Sequence, residues 1–150
     1  MSYDPLFMQL ALDYAAEASL LNEVPIGAVI VKEKTVIGSG RNMVLAKTSV
    51  IAHAELIAIT NASKNSKNYR LLDCDMYVTL EPCHMCAKAI VDARISNLYF
   101  GAYEPKTGSI QSIDHFLDKS HLNHKVTYSG GHMEKASAQL LHEFFRARRR

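Results

Sequence analysis

His53-Ala54-Glu55 and Pro82-Cys83-His84-Met85-Cys86 bring an imidazole, a carboxylate and a pair of thiols together in two short stretches of the chain. The imidazole and two thiolates make a ligand set for a soft divalent metal such as zinc. A structural zinc site closes all its positions with protein ligands, whereas a hydrolytic one keeps a corner for water. Glu55 is then left to handle that water's protons. Cys83 and Cys86 fall about 60° apart around a helix. Pro82 ahead of them sets both in the first helical turn, where free N–H groups and the dipole favour thiolates. Glu55 sits about 200° round a helix from His53, a poor place for a further ligand on the same metal. It can still reach a metal-bound water.

Other readings of these residues stand beside this one. Cys-x-x-Cys alone fits a redox pair, a fragment of a structural zinc site, or two core thiols. A redox pair has no use for His53 or Glu55. A closed Cys₂His₂ site needs a second histidine from His84, His115, His121, His124, His132 or His142. His84 lies between the thiols and should point elsewhere, and the others lack the usual paired spacing. Cys74 is off the pattern and reads as a packed or surface thiol.

The elements that must position these groups follow from periodicity and punctuation. Asp4-Pro5 caps a helix over 5–21, with Phe7, Leu10, Ala11, Tyr14 and Ala18 at helical spacing. Residues 27–32 and 35–38 read as strands joined by a tight turn at Glu33-Lys34. Residues 40–50 read as a loop, 52–62 as a helix, 64–70 as a polar surface connection, 76–80 as a strand and 83–93 as a helix. Strand 97–100 and a loop over 101–112 come next. A short helical turn at 113–117 and a strand over 125–128 precede a final helix over 133–148, with Leu140, Leu141, Phe144 and Phe145 on its apolar side. Alternating strands and helices predict an α/β fold with a mixed sheet covered on both faces.

With 150 residues and no linker or repeat, residues 1–150 read as one domain with a core of its own. Apolar residues at 48% and charged residues at 21% exclude a disordered chain. The N-terminus lacks the basic and apolar regions of a signal peptide, and no apolar run reaches the roughly 18 residues of a membrane span. Three cysteines are too few for a disulfide framework, so the expected setting is a reducing cytoplasm. A net charge of +2 says little about nucleic acid, but Arg146, Arg148, Arg149 and Arg150 crowd the C-terminus. They read equally as a solvated helix end or as phosphate contacts.

The signature H-x-E then P-C-x-x-C resembles that of the zinc deaminases. Val24-Pro25-Ile26-Gly27-Ala28-Val29, Asn42, Tyr77-Val78-Thr79-Leu80-Glu81, Phe100-Gly101-Ala102, Pro105-Lys106-Thr107-Gly108, Asn123-His124-Lys125-Val126 and Phe144-Phe145-Arg146 are similar to the bacterial tRNA-specific adenosine deaminases. That resemblance implies a cytidine deaminase-like three-layer α-β-α sandwich with a five-stranded mixed sheet. It implies one zinc per subunit on His53, Cys83 and Cys86, with Glu55 as the proton shuttle. Asn42, Ile26 and Ala54 would bind the target base, and Lys106 would lie near the RNA, with Arg146, Arg148 and Arg149 as possible contacts. The implied reaction converts adenosine to inosine at the wobble position of a tRNA anticodon loop, in a homodimer whose substrate site lies near the subunit boundary. Two features depart from the family pattern. Ser49-Val50-Ile51 replaces Asp-Pro-Thr before His53, and Tyr103-Glu104 precedes Pro105-Lys106. A deaminase of a free nucleobase or nucleoside (guanine or cytosine type) and a zinc-stabilised RNA-binding module without catalysis are the alternatives.

Overall fold

A computed structural model describes residues 2–148, so Arg149 lies outside the described residues. The elements are α1 (Pro5–Leu20), β1 (Gly27–Lys32), β2 (Thr35–Arg41), α2 (Val44–Lys47), α3 (Ala54–Ser66), β3 (Cys74–Leu80), α4 (His84–Asp92), β4 (Asn97–Ala102), β5 (Thr127–Ser129) and α5 (Glu134–Arg148). Five strands form one sheet in the order β2-β1-β3-β4-β5. β1 pairs antiparallel with β2 and β3, and the β3–β4 and β4–β5 pairs are parallel. The expected mixed sheet is therefore present.

Alternation within the strands sorts the core into two layers. Ala28, Ile30, Met76, Val78, Leu98 and Phe100 face α3 and α4. Val29, Val31 and Tyr77 face α1 with Phe7, Met8 and Ala11. α5 packs beside α1 against β3 and β4. Each fully buried Leu, Ile or Phe contributes about 1.5–3 kcal/mol, so the central strands anchor the molecule.

Several boundaries differ from the sequence expectation. β2 continues to Arg41, because Gly38 and Gly40 serve helix packing instead of ending the strand. A Cβ on Gly40 would lie 2.4 Å from the Ala54 carbonyl oxygen, and one on Gly38 would lie 2.5 Å from the Ala62 nitrogen. The stripe Ala54, Ala58 and Ala62 thus sits directly on the strand. The expected loop after β2 contains the single turn α2. The turn near residue 115 is a short 3₁₀ helix, Phe116–Asp118. Glu33 and Lys34 both have positive φ, 49° and 64°, as a tight hairpin turn requires. No helix of the described residues is long and apolar enough to cross a membrane.

Candidate active site

His53 and Cys83 are the N-caps of α3 and α4, both with extended backbone and neither spending its side chain on a cap bond. His53 O accepts Ile57 N–H at 3.0 Å, and Cys83 O accepts Ala87 N–H at 2.8 Å, closing each first turn. Cys83 therefore precedes the helix in which the sequence reading placed it, while Cys86 lies inside the first turn. The site forms beyond the C-terminal end of β3, a general location for sites in α/β sheets. His53 Nδ1 lies 3.5 Å from Cys86 Sγ and 3.8 Å from Cys83 Sγ. The three ligand atoms fall within 4.8 Å of one another, and no fourth His, Cys, Asp or Glu joins them among the described residues.

Packed so closely, the two thiols shift each other's ionisation in opposite directions. The hydrogen bond from Cys86, helped by His53, pulls the Cys83 thiol down to about 3. The same bond, with burial, pushes Cys86 up. The bond to Cys83 raises His53, against burial. A divalent cation would compensate both thiolates, and a His–Cys–Cys donor set suits zinc. The residues present fit that metal.

Glu55 stands outside this trio. It is the second residue of α3 and buried at 4% exposure. Burial pushes its carboxyl up to about 7, against its own backbone N–H, the His53 charge and the Cys86 thiol. A carboxyl in that range can take and return a proton near neutral pH.

A cavity of about 500 Å³ opens beside His53. Ile26, Asn42, Val44, Leu45, Phe144, Phe145 and Arg148 line it. Ile26, Asn42, His53 and Arg148 thus line one cavity. Ala54 does not line the cavity: it is fully buried, with its carbonyl against the Gly40 position. Lys106 is exposed on the 103–112 loop, outside the cavity lining. Arg146 is exposed on α5, also outside that lining. Phe145, expected on the apolar side of α5, is 45% exposed and faces the cavity, whereas Phe144 is buried. Arg148 is docked: its guanidinium donates to Asn22 O at 2.6 Å and lies 4.1 Å over the Phe144 ring.

His84, His124 and Cys74 resolve simply. His84 turns away to pair with Asp114 at 2.8 Å. His124 bonds Ile95 O at 2.7 Å. Cys74 is packed in the core at 1% exposure. The Ser49-Val50-Ile51 turn is held by backbone bonds from Ser49 N to Val44 O and from Ala52 N to Ser49 O, at 3.1 and 3.2 Å.

Two of the buried carboxylates, Glu81 and Glu23, had no role in the sequence reading. Glu81 accepts N–H bonds from Glu104 (3.0 Å), Ile110 (3.1 Å), Gln111 (2.7 Å) and Ser112 (2.9 Å), and another bond from the Ser112 hydroxyl. It thereby organises the loop that carries Lys106. Gly108 leaves room for it, since a Cβ there would lie 2.4 Å from the Glu81 carboxyl. Glu23 accepts N–H bonds from Leu45 and Ala46. The only local signal was an acidic residue beside Pro82 or Val24-Pro25, and the partners lie far along the chain.

A layered α-β-α sheet with a His–Cys–Cys trio and a separate buried carboxyl at converging helix ends defines a zinc-dependent deaminase. Residues 1–102 match the profile of the cytidine and deoxycytidylate deaminase zinc-binding region. The chain is 45% identical to the tRNA-specific adenosine deaminase of Haemophilus influenzae, over 98% of this chain and 86% of that protein. It is 43% identical to that of Agrobacterium fabrum, over 95% of this chain and 94% of the relative. A solved structure from work on A-to-I editing by tRNA:A34 deaminases superposes with a TM-score of 0.89 at 42% identity, covering 92% of this chain and all of that one. A guanine deaminase from Bacillus subtilis superposes at 0.67 with 32% identity, covering 85% of each chain. The chain belongs to the cytidine and deoxycytidylate deaminase family, within its tRNA-specific adenosine deaminases.

Proposed function

We propose that the chain hydrolyses the 6-amino group of the wobble adenosine in a tRNA anticodon loop, giving inosine and ammonia. The observation that carries this reading is Glu55, buried beside the His53–Cys83–Cys86 trio but not part of it. Binding alone has no need of an unligated acid there. His53, Cys83 and Cys86 hold zinc, which when bound supplies the Lewis acidity that makes water a competent nucleophile near neutral pH. Glu55 takes a proton from the attacking water, delivers one to N1 of the adenine, and later helps protonate the departing amine. Asn42 hydrogen-bonds the base and Ile26 walls it.

The target base must be unpaired and splayed out, at a cost of a few kcal/mol for unstacking. Phe145, exposed at the cavity, offers an aromatic face to a base flanking the target, a neighbour that a nucleic-acid substrate has and a free base lacks. Lys106 and Arg146 meet phosphates outside the cavity. The whole of 1–150 acts as one deaminase domain in the cytoplasm and pairs as a homodimer. Exposed apolar residues support the pairing: Val50 and Ile51 are 80% and 59% exposed, and Ile51 borders a groove of about 290 Å³ with Leu56 and Ile57.

The test is a panel of anticodon stem-loops run beside free adenosine, guanine and cytosine. Inosine forms in stem-loops with a wobble adenosine, and the free compounds are untouched. Turnover of free guanine or cytosine without stem-loop activity would assign the chain to the free-base deaminases.

A further inference from the structure

Glu23 is a buried carboxylate with no part in the deamination chemistry, and it is only 3% exposed. Its Oε1 accepts the Leu45 N–H at 3.0 Å and its Oε2 accepts the Ala46 N–H at 2.8 Å. These are the second and third residues of α2, whose N-cap Met43 offers no side-chain bond. The first N–H groups of a helix have no partner within it, and a single turn does not repay its own nucleation. Glu23 therefore caps α2 from a distant part of the chain.

Three walls of the cavity meet on residues 22–26. Asn22 O receives Arg148 of α5 at 2.6 Å. Glu23 holds α2, which puts Val44 and Leu45 on the cavity. Ile26 O receives the Asn42 N–H at 3.1 Å. The neck of the α2 loop is closed separately, by Met43 N–H to Ala52 O at 2.9 Å. His53 follows that neck, so the trio and Glu55 stay in place when α2 loosens.

We propose that Glu23 is a positioning residue for substrate recognition. It clamps α2 as one wall of the cavity and so sets the grip on the target nucleotide, without touching the reacting atoms. The proposal rests on the tRNA reading above. A wall that contacts substrate equally in the ground and transition states acts on KM more than on kcat.

The experiment uses the zinc-loaded full-length chain and Glu23→Ala, with Glu23→Gln as the conservative variant. Steady-state kinetics on an anticodon stem-loop are paired with amide exchange at Leu45 and Ala46, zinc content and thermal melting. Losing two charge-assisted bonds makes E23A worse by about ten-fold or more in kcat/KM, mostly through KM. Glu23→Gln, which keeps one acceptor oxygen, falls between E23A and wild type. The Leu45 and Ala46 amides exchange faster in E23A, while zinc content and melting hold. Wild-type kcat/KM in E23A, unchanged exchange, or a loss that tracks zinc release or melting each overturns the role. The two failures separate cleanly. A wild-type enzyme that makes no inosine overturns the tRNA reading and this role with it, whereas an active wild type matched by E23A overturns this role alone.

Discussion

Glu55 and its three neighbours divide the work by environment. The trio pools soft donors on one point, while burial keeps Glu55 protonatable near neutral pH, pushed up to about 7. Replacing Glu55 with Ala removes the proposed shuttle and leaves the ligands. Zinc content and melting stay near wild type, and turnover drops by about 10²–10⁴, the usual contribution of a positioned acid–base. Near-normal inosine formation by that variant would reject the assignment. These four residues were legible in the sequence because each sits at a helix start with a spacing that chemistry requires. Glu23 and Glu81 were not, because their partners are backbone N–H groups remote in the chain.

Between strand and helix, the fit of β2 to α3 decides where His53 stands. Gly40 lets the Ala54 carbonyl approach, and an added Cβ would fall 2.4 Å from it and 2.8 Å from the Ala58 nitrogen. Gly40→Ala pushes the start of α3 off the sheet, costing about 1–3 kcal/mol by overpacking. Zinc is lost to a chelator faster in G40A, and unchanged stability and retention would contradict the close-contact account. The loop over 104–112 makes a second, pH-dependent case. Burial would raise the Glu81 carboxyl, but bonds from Ser112, Gln111 and Glu104 outweigh it and hold the pKa below its ordinary 4.5. Because the folded pKa is depressed, this stabilisation is complete above the unfolded value and is lost as pH falls through the folded one. The amide proton shifts of Ile110, Gln111 and Ser112 titrate together with a midpoint below 4.5, and a midpoint at or above it contradicts the clamp. Local pattern gave the long helices and the sheet because their periodicities are strong. It cut β2 short because a glycine pair reads as a break unless the helix lying on it is known. It missed α2 because that single turn has no side-chain cap of its own, and the carboxylate that caps it, Glu23, lies far back in the chain.

Across the whole molecule, the end of α5 supplies Arg148 to the cavity and Arg146 to the surface outside it. Arg148 is engaged with Asn22 and Phe144, whereas Arg146 is exposed outside the cavity. If Arg146 neutralises one phosphate, R146A lowers the slope of log K against log salt by about 0.7 for a single-stranded loop. An unchanged slope makes Arg146 part of a solvated helix end. The sequence could not separate these arginines, since docking depends on where α1 ends beside α5. Family class was readable from the paired motifs, but the joint cavity of α2, α5 and residues 22–26 emerges only in three dimensions. The most direct test of the hydrolytic assignment measures metal and product on one sample: zinc per chain, and inosine formed in a stem-loop with a wobble adenosine. One zinc per chain, with inosine appearing in proportion to zinc, is the expected result. A folded, zinc-free chain that still makes inosine, or a zinc-loaded one that makes none on any such loop, contradicts it.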